Sequence, residues 1–129
     1  MKDPLNKTLN VFIADDSAVV RDRLAELVAQ VGGLRVVGQA DDAPSAEDGI
    51  LSTKPDGAIV DIPMPGGSGI DVVRRVRESA ENQPTFIVHS NYAYEQFRKA
   101  CADAGADFFF EKGTETHRVS DALRMLATK

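Results

Sequence analysis

The sequence predicts an α/β domain: a doubly wound parallel sheet of five strands in the order 2-1-3-4-5, with helices on both faces. Three observations predict it. Five short apolar segments recur along the chain, Val11-Phe12-Ile13-Ala14, Leu34-Arg35-Val36-Val37, Ala58-Ile59-Val60, Phe86-Ile87-Val88 and Phe108-Phe109-Phe110. Most are rich in β-branched or aromatic residues, and several are continuous rather than alternating, as strands covered on both faces read. Segments with helical spacing fall between them, and such alternation implies a parallel sheet joined by right-handed crossovers. The chain has 129 residues, which is one domain's worth. An eight-fold barrel, at ~250 residues, is excluded.

Each element follows in order. Residues 1–8 are polar, hold Pro4 and read as a short tail, which leaves 9–129 as the domain. After the first strand, Ser17 stands where an N-cap belongs. Val20, Leu24, Leu27, Val28 and Val31 then share one helix face, and Gly32-Gly33 ends that helix. Ala43 to Thr53 is helix-compatible. Ile70, Val73, Val76 and Ala80 form the next stripe, preceded by Gly66-Gly67-Ser68-Gly69. That glycine run matches neither the dinucleotide fingerprint nor the P-loop, and reads as a flexible turn. Ala93 to Ala104 is again helix-compatible. Val119, Leu123 and Leu126 give the last stripe, with Thr114 at the expected N-cap.

Composition narrows the function. Hydrophobic residues make up 43% and charged residues 27%, an ordinary globular balance. The net charge of −5 makes nucleic acid a poor partner. The one cysteine, Cys101, rules out an intramolecular disulfide, fits a reducing compartment and reads as a buried apolar filler. No apolar run approaches the ~20 residues of a membrane span, and the start lacks a secretory signal. The expectation is a cytoplasmic domain too short to carry a separate output module. His89 reads as a satisfied residue in or near the core, and His117 as a surface residue. Arg74, Arg75 and Arg77 read as a solvated basic patch.

The chemistry collects at the carboxyl ends of the strands, where open α/β sheets bind ligands at the reversal of strand order. The first strand ends in Asp15-Asp16, the third in Asp61, the fourth in Ser90 and the fifth in Lys112. In the order 2-1-3-4-5 these five converge. Three carboxylates repel unless a cation joins them, and one lysine is too little. An all-oxygen donor set favours Mg²⁺, which pairs with carboxylates and phosphate oxygens. A carboxylate can also accept a phosphoryl group as an aspartyl-phosphate.

Asp15-Asp16, then Asp61-Ile62-Pro63-Met64-Pro65 with Gly69, then Ser90 and Lys112, together resemble the receiver domain of bacterial two-component response regulators. The resemblance covers about Leu9 to Leu126 and implies a flavodoxin-like (βα)5 three-layer sandwich. It implies that Asp61 accepts a phosphoryl group from a histidine kinase or phosphotransfer protein. Asp16 would ligate Mg²⁺ directly, Asp15 through water, and Pro63 through its backbone carbonyl. Ser90 and Lys112 would each hold a phosphoryl oxygen. Phe109 matches the aromatic that turns inward when Ser90 moves, changing the surface offered to a downstream protein partner or to a second copy in a homodimer. The sequence departs from the family at Gly113, where many members carry a proline after a cis bond. It also departs at Asn91, a bulkier side chain beside Asp61, and at Phe109, which has no hydroxyl. Two other readings stay open: a phosphate-independent interaction module on the same fold, and a small aspartyl-phosphate phosphatase. The phosphatase lacks an acid two residues after Asp61, where Pro63 stands.

Overall fold

The structure is a computed structural model describing residues 8–128. The expected tail, apart from Thr8, lies outside the described residues. The elements in order are β1 (Leu9–Ala14), α1 (Ala18–Val31), β2 (Leu34–Ala40), α2 (Ala43–Thr53), β3 (Gly57–Val60), β4 (Pro63–Met64), β5 (Gly67–Ser68), α3 (Gly69–Ser79), β6 (Thr85–Ser90), α4 (Glu95–Ala104), β7 (Phe108–Glu111) and α5 (Val119–Ala127), with a 3-10 turn at Thr116–Arg118 before α5. The main sheet is parallel throughout, in the order β2-β1-β3-β6-β7. That is the expected 2-1-3-4-5, because the small antiparallel pair β4-β5 forms a separate hairpin.

Strand alternation splits the core into two layers. Val11 and Ile13 of β1, Ile59 of β3 and Ile87 of β6 pack with Leu24, Leu27, Val28, Val119, Leu123 and Leu126 of α1 and α5. Phe12, Ala58, Val60, Phe86 and Val88 face the other way, onto α2, α3 and α4. Both faces of the central strands are therefore apolar, which is why these segments read as continuous runs. The β1–β2 register shifts at Val11/Phe12, so Phe12 pairs with Gly38. A Cβ at Gly38 or Gly49 would meet the Phe12 ring at 2.8 or 2.5 Å, so the two glycines make room for that ring.

Most helix ends follow their local signals. Ser17 Oγ accepts from Val20 N–H, and Gly32 at φ 82° closes α1, both as expected. Asp42 caps α2 and Ser68 caps α3. The Gly66–Gly69 run is a hairpin rather than a flexible turn, and its last strand residue, Ser68, is that cap. Thr114 is not the cap of α5. Its hydroxyl donates to Glu111, and the chain takes a 3-10 turn before α5 begins at Val119. Arg77 is also not a solvated charge. Its guanidinium donates to the carbonyls of Gly105 and Pro84 and pairs with Asp107 at 3.0 Å, tying α3 to the α4–β7 loop. Cys101 is buried, and burial pushes its thiol up to about 11, so it packs as an inert side chain. Among the described residues, no helix is long and apolar enough to cross a membrane.

Candidate phosphoryl and metal site

The site is assembled from the ends of four strands. β1 runs out at Ala14, and Asp15 N–H donates to Ala40 O, which keeps Asp15 in line with the sheet. Its Oδ1 accepts from Ser17 N–H, and Arg21 donates to its carbonyl at 2.7 Å. Asp61 follows β3, its N–H on Ala14 O and its Oδ1 on the Ile62 N–H at 2.7 Å. Asp15 and Asp61 are 1% and 2% exposed, whereas Asp16 is exposed. Carboxylate oxygens of all three lie within 4.8 Å of one another.

Lys112 reaches into this cluster from the end of β7. Its ammonium is 2.7 Å from Asp61 Oδ2 and 2.9 Å from Asp15 Oδ2. Burial would lower the lysine's pKa, but hydrogen bonds and negative charge from Asp61 and Asp15 outweigh it. The lysine titrates above its ordinary range and stays charged. Two buried carboxylates thus share one ammonium, beside a third carboxylate. Asp15 Oδ2 is buried without a well-directed hydrogen bond. A hard cation with oxygen ligands satisfies both the excess charge and that lone pair, so the donor set fits Mg²⁺.

Ser90 ends β6, fully buried, with its Oγ accepting from Tyr92 N–H and its carbonyl accepting from Lys112 N–H. Pro63 pairs with Ser68 in the β4-β5 hairpin, two residues past Asp61. That hairpin returns the chain so tightly that Gly69 N–H donates to Ile62 O, and a Cβ on Gly69 would collide with the Asp61 carbonyl. Glycine after the Pro-Met-Pro segment is thus a packing requirement of the strand end that holds Asp61. Phe109 is half-buried against the core layer of α2–α4, with the Arg98 guanidinium 4.6 Å above its ring. Asn91 is exposed.

Some participants were not legible in sequence. Arg98 bonds Ala93 O and pairs with Glu115 at 3.3 Å, so it links α4, the Phe109 ring and the loop after Lys112. Glu115 in turn accepts from Glu111 N–H and pairs with Arg118. His89 is only half satisfied. Its Nε2 is 2.8 Å from Thr116 Oγ1, while buried Nδ1 has no hydrogen-bond partner among the described residues. Burial, then the Lys112 charge, lower its pKa to about 4 against an opposing pull from Asp15. The Arg98–Glu115 and His89–Thr116 pairings join residues 17 and 27 positions apart, so only proximity reveals them.

Comparison with known proteins places this geometry. A family model described as the response regulator receiver domain matches residues 11–124. The positive alginate biosynthesis regulatory protein of Pseudomonas aeruginosa is 40% identical over 99 residues, covering 70% of this chain and 38% of that protein. The curated relatives it matches are longer, and the chain spans about half their length. Among solved structures, the signal receiver domain of NarL from Mycobacterium tuberculosis superposes with a TM-score of 0.86 at 26% identity, covering 94% of this chain and 97% of that one. A chain of the CheX-CheY-BeF3-Mg²⁺ complex from Borrelia burgdorferi superposes with a TM-score of 0.83 at 25% identity, covering 95% and 92%.

Proposed function

The chain belongs to the response regulator receiver domain family of two-component signalling, and from that premise we propose that Asp61 is its phosphoryl acceptor. The observation that carries the proposal is the contact set of the Asp61 side chain: buried, its Oδ2 on the Lys112 ammonium and its neighbours two further carboxylates. In the transfer, an Asp61 carboxylate oxygen forms a bond to phosphorus. The bond from phosphorus to the donor's nitrogen breaks, and the departing imidazole keeps the electron pair. The donor is a histidine kinase or phosphotransfer protein. Phosphoryl transfer asks a protein mainly for alignment and charge neutralisation. Lys112 provides one positive charge, and the Ser90 hydroxyl is the hydrogen-bond donor at the neighbouring strand end. Asp16, Asp61 and the Pro63 carbonyl would hold Mg²⁺, with Asp15 acting through water. When bound, the ion supplies the remaining charge neutralisation. Support comes from the Borrelia burgdorferi relative, whose complex contains beryllofluoride and Mg²⁺.

The output is a change of surface. Phe109 lies on β7 between the active end of the sheet and Arg98 of α4, so a shift of Ser90 on the adjoining strand has a packed route to the face of α4, β7 and α5. A downstream protein or a second copy of the chain would read that face.

Incubation with acetyl phosphate and Mg²⁺, followed by intact-mass measurement, tests the acceptor. Wild type is expected to gain one phosphoryl mass, and Asp61→Asn none. An equal gain in Asp61→Asn would remove Asp61 from its role.

A further inference from the structure

We propose that Thr116, anchored on His89, is a positioning residue that fixes Lys112 for the phosphoryl group; the proposal rests on the reading of Asp61 as acceptor. The problem it solves begins at Gly113. Lys112 is held on its N-terminal side by the rung from its N–H to Ser90 O. The next residue, Gly113, has φ +84°, and a Cβ built there would meet nothing within 4 Å. The chain immediately after the catalytic lysine therefore has neither side-chain packing nor the ring of a proline to restrain it. A loose loop at this point would let the ammonium wander between Asp15 and Asp61.

One side chain closes the gap. Gly113 N–H donates to Thr116 Oγ1 at 2.9 Å, and the same oxygen lies 2.8 Å from His89 Nε2. His89 is 3% exposed and sits in β6, one residue before Ser90 and paired in register with Phe110 of β7. The hydroxyl is thus a bridge from the rigid interior of the sheet to the amide next to Lys112. Its stoichiometry suits the task. A hydroxyl has one proton and two lone pairs, so it takes the Gly113 proton and still bonds the imidazole in either tautomer. Glu115 braces the same loop from outside, accepting from Glu111 N–H while its own N–H donates to Glu111 O. That brace reaches only the start of the loop. Thr116 holds the residue that follows Lys112.

The Thr116 hydroxyl bonds His89 and Gly113 and lies outside the carboxylate cluster, so its loss should register only where Lys112 acts. The experiment is isothermal titration of the 129-residue chain with beryllofluoride at saturating Mg²⁺, and separately with Mg²⁺ alone, alongside thermal midpoints. Thr116→Val is expected to bind beryllofluoride about three- to ten-fold more weakly, the scale of one lost hydrogen bond. Thr116→Ser should restore wild-type binding. His89→Leu replaces an imidazole with an unpartnered Nδ1 by an apolar side chain, so it should fold while still weakening beryllofluoride binding about two-fold or more. It is the deciding variant if Thr116→Val does not fold. Mg²⁺ affinity should not fall in any variant. Wild-type beryllofluoride affinity in both Thr116→Val and His89→Leu overturns the inference. So does a parallel loss of Mg²⁺ and beryllofluoride affinity, which marks general destabilisation. Failure of the wild type itself to bind beryllofluoride overturns instead the reading of Asp61 as acceptor.

Discussion

His89 shows how one buried side chain can set a pH response. Its imidazole titrates near 4 in the fold against 6.5 as an ordinary histidine. Between those values the unfolded chain binds the proton that the folded chain refuses. Stability from this group is therefore complete above about pH 6.5 and is lost as pH falls towards 4. At roughly 1.4 kcal/mol per unit, the full effect is about 3 kcal/mol. Urea unfolding of wild type and His89→Leu between pH 7 and pH 4 measures it. The stability difference between the two should shift by that amount in favour of the leucine variant as the pH falls. A pH-independent difference would show that the imidazole charges freely in the fold. The sequence disclosed His89 as a residue in or near the core, but not its neighbours. Thr116 lies 27 positions away, and only the crossing of β6 past the loop before α5 joins them.

At the scale of elements, helix positions followed from apolar spacing, and α1, α2 and α3 start at small polar caps, Ser17, Asp42 and Ser68. The last two helices do not: α4 starts after Tyr94 with no side-chain cap, and Thr114 does not cap α5. The stretch after β7 winds a 3-10 turn first, because Glu111, Thr114, Glu115 and Thr116 bond one another and Gly113. Those local bonds compete with helix initiation. The β4-β5 hairpin is the clearest case of an element whose purpose only contact explains. Its glycine run reads as a flexible turn, yet Gly69 is pressed against the Asp61 carbonyl. Gly69→Ala must displace either the end of β3 or the start of α3. The expected cost is about 3 kcal/mol, the upper end for overpacking a tight site. The same displacement should slow Asp61 labelling by acetyl phosphate. Thermal unfolding and intact mass check the two effects, and an alanine variant as stable as wild type would show that the hairpin yields.

The whole molecule is two apolar layers sharing one sheet. Val11, Ile13, Ile59 and Ile87 serve one layer, while Phe12, Ala58, Val60, Phe86 and Val88 serve the other. Neither layer can melt without exposing strands the other needs. Leu123→Ala in the α1/α5 layer should therefore cost about 2–5 kcal/mol and keep a single unfolding transition with an unchanged urea slope. Two transitions, or a reduced slope, would mean that the layers unfold separately. What the sequence by itself determined was the periodic pattern: five apolar strands, their alternation with helices, and the polar residues that end the strands. Given the strand order that right-handed crossovers favour, those endings had to meet, and Asp15, Asp16, Asp61 and Lys112 do. Tertiary structure alone decided which charges are buried and which partners hold them. Lys112 sits on Asp15 and Asp61, Arg77 on the α4–β7 loop, Arg98 over Phe109, and Thr116 on His89. The physical reason is that hydrophobic burial repeats with the period of a helix or strand, whereas a polar side chain takes whichever partner the packed elements bring within about 3 Å.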